Sequence, residues 1–152
     1  MLGQLLIEGI QSHKAYVNFA DYDITATNPA KGKMCRIQVR SRYATNATSF
    51  NFDKDLDCDF VVVVFLNLGH CWPDKPGGRR PPKTYVFPID VARAAHMNKR
   101  GMIGKSKIDN IDQYLDNWDT VKRFLGIEPD ELVESPAVSA TRRPVTRRPA
   151  DP

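Results

Sequence analysis

Tyr22-Asp23-Ile24-Thr25-Ala26-Thr27, the turn Asn28-Pro29-Ala30-Lys31-Gly32-Lys33, and the run Cys35-Arg36-Ile37-Gln38-Val39-Arg40-Ser41-Arg42 decide the fold of this chain. Both runs flanking the turn alternate with a period of two, the signature of a strand with one face on a core. In the first, Tyr22, Ile24 and Ala26 share a face, opposite Asp23, Thr25 and Thr27. In the second, Cys35, Ile37 and Val39 point one way, and Arg36, Gln38, Arg40 and Arg42 the other. Pairing the two as a hairpin brings Asp23 beside Gln38 and Arg40, although Gln38 lies 15 residues further along the chain.

Outward from this hairpin, Asp59-Phe60-Val61-Val62-Val63-Val64-Phe65-Leu66 is apolar on both faces and reads as a central strand covered on both sides. Residues 67–83 are rich in Pro and Gly and read as a loop, followed by a strand at 84–87. Pro88 ends that strand and Asp90 is placed to cap a helix over 91–97. Further expected elements are a helix within 2–12, weakened by Gly3 and Gly9, and strands at 15–19 and 49–52. Over 110–125, Ile111, Tyr114, Leu115, Trp118, Val121 and Leu125 form one stripe, which predicts a helix ended by Gly126, with Trp118 in the core.

The chain has 152 residues, 41% hydrophobic and 26% charged, which suits one domain with a real core and excludes a wholly disordered chain. The sequence predicts a domain over residues 1–132 and a disordered basic tail over 133–152, where Arg142-Arg143-Pro144 is echoed by Arg147-Arg148-Pro149. The longest apolar run, Phe60 to Leu66, falls far short of the ~20 residues of a membrane span. With no signal-peptide pattern, the expectation is a cytoplasmic protein, off the membrane, with free thiols at Cys35, Cys58 and Cys71. A zinc site from Cys58, His70, Cys71 and His96 lacks the close-spaced ligand pairs such sites use.

Net charge is +4, and its distribution is uneven. Lys31, Lys33, Arg36, Arg40 and Arg42 fall within twelve residues that hold no acid. Between Lys75 and Lys107 there are nine basic residues and one acid, Asp90. Asp53, Asp55, Asp57 and Asp59 form an acidic run, and Asp109, Asp112, Asp116 and Asp119 another. Segregated charge of this kind suits a polyanion partner, or else a mixed solvated surface. A carboxylate and an amide oxygen beside a guanidinium suit a hard divalent cation that meets a phosphate. The same residues also permit a simple cross-strand ion pair between Asp23 and Arg36 or Arg40.

The pattern Tyr22-Asp23-Ile24, a turn, then Arg36-Ile37-Gln38-Val39-Arg40-Ser41 resembles the core of the PD-(D/E)xK nuclease superfamily, in its small group I intron-associated endonuclease branch. The Asp-Phe-Val-Val-Val-Val strand, the Tyr-Val-Phe-Pro strand end and the helix around Asn117-Trp118 follow in the same order, so the resemblance spans about residues 3–126. It implies an α/β, restriction-endonuclease-like core, a mixed central β-sheet flanked by helices, and metal-dependent hydrolysis of DNA. By the same resemblance, Asp23 would be the metal-binding acid, Gln38 would fill the Glu/Gln position, and Val39 would lend a backbone carbonyl to Mg²⁺ or Mn²⁺. Arg40 stands where the family carries its catalytic lysine; a guanidinium holds phosphate but does not exchange protons near neutrality, which predicts impaired catalysis. Arg36, Arg42, Arg79 and Arg80 would grip flanking phosphates. The family also opens with a longer helix bearing a Glu, for which Gln4 and Glu8 are the nearest counterparts. A homodimer through an exposed edge strand is compatible with this fold. The alternative is an inactive nuclease fold that binds nucleic acid or a protein partner.

Overall fold

A computed structural model describes residues 1–15, 21–69, 78–96 and 101–128. Helix α1 (Leu2–Ile7) leads into β1 (Gln11–Lys14), β2 (Ile24–Asn28), β3 (Lys33–Arg42), β4 (Ser49–Asn51), β5 (Phe60–Phe65) and β6 (Lys83–Pro88). Helix α2 (Ile89–Ala94), β7 (Met102–Gly104) and α3 (Asp119–Leu125) complete the described chain. Five strands form one mixed sheet in the order β1-β2-β3-β5-β6, and β4 pairs with β7 in a separate two-stranded ribbon.

The hairpin expected from the alternation is present. β2 and β3 pair antiparallel, with Ile24 opposite Ile37 and Asn28 opposite Lys33. The turn between them is a 3-10 turn, Pro29–Lys31, closed by Gly32 at φ 62°, a left-handed conformation natural to glycine. β3 then runs parallel to β5, from Ile37 opposite Phe60 to Arg42 opposite Phe65, and β6 returns antiparallel to β5.

β5 is the central strand that its composition predicts. Phe60 and Val62 join Ile24, Ala26, Cys35 and Ile37 in one core, closed by Leu5, Trp118, Val121 and Leu125 from α1 and α3. Val61, Val63 and Phe65 join Tyr85 and Phe87 in a second core, closed by Phe50, Phe52 and Ile103 around the ribbon and by Ala92 of α2. The alternate side chains of one strand thus feed two cores, each fully buried valine contributing about 1.5–3 kcal/mol. The second face is roofed chiefly by β4 and β7, because the connection from β3 to β5 carries a strand where such crossovers more often carry a helix.

Several expected elements are shorter. α1 stops at Ile7, and the chain turns at Gly9, φ 73°, into β1, whose polar residues form an outer strand of the sheet. Of the strand expected at 15–19, only Ala15 falls among the described residues; its N–H donates to the Asp23 carbonyl at 2.9 Å. The stripe at 110–125 forms a 3-10 turn, Ile111–Tyr114, and then α3. Between them Leu115 bridges to Tyr85, and the Asp116 N–H donates to the Thr84 carbonyl at 2.8 Å. Satisfying the outer edge of β6 therefore takes precedence over helical continuity. Trp118 is buried as expected, and Gly126, φ 69°, ends α3, with the Asn28 amide donating to the Leu125 carbonyl. α2 begins at Ile89, so Asp90 lies in its first turn and makes no cap. Residues 129–152, which hold the whole of the expected tail, lie outside the described residues.

Candidate functional site

β2 ends its pairing at Ile24, so β3 continues past it with its second half released on that side. Asp23 sits at this departure. Its N–H donates to the Ile37 carbonyl at 3.0 Å, which continues the ladder by one residue. Its Oδ2 accepts the Val39 N–H at 2.7 Å and the Gln38 Nε2–H at 2.5 Å. Among the described residues no strand pairs with β3 on this side, and the carboxylate is its partner there. Gln38 is 4% exposed, whereas Asp23 faces solvent. One end of the amide is thus held in the sheet and the acid remains accessible.

Backbone groups on a strand alternate sides. Ile37 and Val39 direct theirs toward β2, and Arg36 and Arg42 accept from Asp59 and Leu66 on the β5 side. The Val39 carbonyl consequently opens toward Asp23. The oxygens at this corner are Asp23 Oδ1, which accepts no hydrogen bond among the described residues, and the Val39 carbonyl, which accepts the Gln38 Nε2–H at 3.4 Å; the Gln38 amide presents its nitrogen here, and its oxygen faces the corner only once the amide turns over. With the Gln38 amide turned over, three hard oxygen donors would fit a small divalent cation in kind. They include one carboxylate, and among the described residues no three His, Cys, Asp or Glu side chains gather as a metal cluster.

Beside this corner lies an open cleft of about 350 Å³ lined by Val39, Arg40, Ser41, Arg42 and Asn51. Arg40 and Arg42 share the face of Gln38, and neither forms an ion pair among the described residues. Asn51 reaches the cleft from β4, a long-range approach that local alternation does not reveal.

Arg36 behaves differently. Its N–H and Nε donate to Asp59 Oδ2 at 2.7 and 3.2 Å, its Nη2 to Asp59 Oδ1 at 3.3 Å, and its Nη1 to Asp57. The hydrogen bond to Asp59 raises the guanidinium's pKa above its usual value. Arg36 shares the face expected for phosphate contacts, but its donors are committed to carboxylates. Asp23 pairs with neither Arg36 nor Arg40 among the described residues. Arg79 is exposed. Arg80 is tied down, with its N–H on the Asn67 carbonyl at 2.9 Å and Nη1 on Asn46 Oδ1 at 3.2 Å. For the zinc alternative, His70 and Cys71 lie outside the described residues, and burial pushes the Cys58 thiol up to about 11, which disfavours the thiolate a metal needs.

No protein-family model and no curated protein matches the sequence. Among solved structures, the bacterial homing endonuclease I-Ssp6803I matches with a TM-score of 0.55, over 86% of this chain and 88% of that one, at 17% identity. The fold is nuclease-like. At that identity the likeness is one of fold, and it assigns no role to Asp23, Gln38 or Arg40. Among the described residues no helix is long and apolar enough to cross a membrane.

Proposed function

We propose that this protein is a metal-dependent endonuclease whose site is built on Asp23, Gln38, Val39 and Arg40. The observation that carries the reading is the solvent-facing Asp23 carboxylate, fixed by the Val39 N–H and Gln38, where Val39 in turn joins Arg40 and Arg42 in lining an open cleft. Asp23, Gln38 and the Val39 carbonyl would hold Mg²⁺ or Mn²⁺. The ion would supply Lewis-acid polarisation and a more acidic water. Arg40 holds the scissile phosphate and offsets the charge that grows on its oxygens during attack. A guanidinium is a poor proton carrier by nature, so protons pass to and from solvent rather than through this side chain. Arg42, next on the same face, holds a neighbouring phosphate. DNA is the proposed substrate because a paired cationic edge next to hard oxygen donors serves phosphodiester chemistry without reading bases.

A single carboxylate and an arginine at the lysine position favour a second reading, a nuclease fold that binds nucleic acid without cutting it. Supercoiled plasmid and branched DNA, incubated with Mg²⁺ or Mn²⁺, separate the two. The enzyme reading predicts nicking that needs the metal and disappears in Asp23→Ala. Salt-sensitive binding by both proteins with nicking by neither supports the binding module instead.

A further inference from the structure

Phe65 and Tyr85 carry a lysine ammonium on their rings. Lys105 Nζ lies 3.5 Å from the Phe65 ring centroid and 5.7 Å from that of Tyr85. Lys105 directly follows β7, and its N–H donates to the Thr48 carbonyl at 2.8 Å, so the ribbon delivers this cation onto the aromatic end of the sheet. A cation packed against rings has given up hydration and rotamer freedom before any ligand arrives.

The sheet register places that cation relative to the site. Arg42 lies opposite Phe65, and Phe65 opposite Lys83. Residues paired in register share a face, so Arg42, Phe65 and Lys83 form one row with Lys105 over its centre. The next row holds Arg40, Val63 and Tyr85, and the one after it Gln38, Val61 and Phe87. Rows on one face are about 7 Å apart and neighbouring strands about 5 Å. Positive charge therefore begins one row from Gln38, climbs β3, and crosses about 10 Å sideways to β6.

These cations have little to offset them. Burial lowers the pKa of Lys105, and the nearby Lys83 charge lowers it further. Among the described residues the ion pairs are made by Arg36 and Lys122, and none by Arg40, Arg42, Lys83 or Lys105. The carboxylates felt at Tyr85 are Asp112 and Asp116, set toward the outer edge of β6, where they bound the row.

We propose that Lys83 and Lys105 form a second phosphate-binding locus, carrying a nucleic-acid strand from the Asp23–Arg40 corner across the sheet to β6. The proposal rests on the reading of that corner as a site for DNA. An arriving phosphate offsets two ammoniums that otherwise disfavour each other, and the rings under Lys105 hold one of them ready.

The test is fluorescence anisotropy of a labelled duplex in EDTA, across about 50–250 mM salt. Lys83→Gln/Lys105→Gln should lower the slope of log K against log salt by about 1.8, near 0.9 per lost phosphate contact, and weaken binding at least tenfold. Lys105→Arg should keep the wild-type slope, and Lys31→Gln/Lys107→Gln, basic positions elsewhere, should change it far less. Thermal unfolding of each variant confirms that the comparison is between folded proteins. Wild-type slope in the Lys83/Lys105 double variant, with the slope reduced in Arg40→Gln/Arg42→Gln, overturns this inference alone. No salt-sensitive binding by the wild type overturns the DNA reading as well.

Discussion

Residues 33–37 of β3 run between β2 and the start of β5, whereas residues 38–42 have β5 on one side and, among the described residues, no strand on the other. Both halves place arginine on the same face, Arg36 in the first and Arg40 and Arg42 in the second. In the first half Arg36 meets Asp57 and Asp59, and Cys35 and Ile37 are sealed into the core beneath α1 and α3. In the second half the backbone partner is a side chain, the Asp23 carboxylate, and Arg40 and Arg42 line an open cleft. Where the ladder is complete, polar side chains serve stability. Where it is interrupted, the same residue types stand along an open cleft.

Breaking the second half should show first in activity. Arg40→Ala should reduce metal-dependent nicking tenfold or more, the scale of losing one charge-stabilising group. Arg40→Lys should raise nicking above wild type, since an amine both holds phosphate and tunes a water; equal rates in Arg40→Lys and wild type would detach this position from the chemistry. In the first half, Asp59→Ala should cost about 1–2 kcal/mol, because it removes charge-assisted bonds to a half-buried arginine and one to its backbone N–H. Denaturant unfolding checks this, with DNA affinity expected to stay near wild type.

Cys35 gives an effect confined to high pH, with a definite sign. Burial, then the Asp59 charge, pushes its thiol up from 9.0 to about 12. The folded state keeps the proton where the unfolded chain releases it, so the stability tied to this group is whole below pH 9. It is lost as pH rises from there toward 12. Unfolding midpoints measured from pH 8 to 11 should fall, and fall less steeply in Cys35→Ala. Smallest of all, Asp23→Asn should leave stability within about 0.5 kcal/mol, since an exposed amide still accepts the Val39 N–H. A much larger loss would make Asp23 a structural residue like Asp59.

The sequence carried the second half of β3 better than the first. Alternation around Asn28–Lys33 was enough to bring Asp23 to Gln38, because a hairpin is local. The uniform apolarity of Phe60–Phe65 announced a strand with two covered faces. Alternation alone sets Arg36 among the phosphate contacts, because its partners, Asp57 and Asp59, arrive through the parallel pairing of β3 with β5, which alternation cannot register. Of the stripe at 110–125, Trp118, Val121 and Leu125 are buried and the α-helix covers only its last part, since the interruption at Leu115 depends on β6 needing an edge partner. Gly9 was legible as a weak helix position, yet the polar strand that follows it has no apolar pattern to signal it. Asn51 and Lys105 reach their places through the ribbon of β4 and β7, and no short-range signal pairs those segments.

The contrast between the two halves is tested most directly by incubating supercoiled plasmid with Mn²⁺ and wild type, Asp23→Ala or Asp59→Ala, with rates taken per folded molecule. The account predicts nicking by wild type and Asp59→Ala, a loss of at least a hundredfold in Asp23→Ala, and none in any of the three with EDTA. Nicking by Asp23→Ala at the wild-type rate, or no metal-dependent nicking by the wild type, would contradict it.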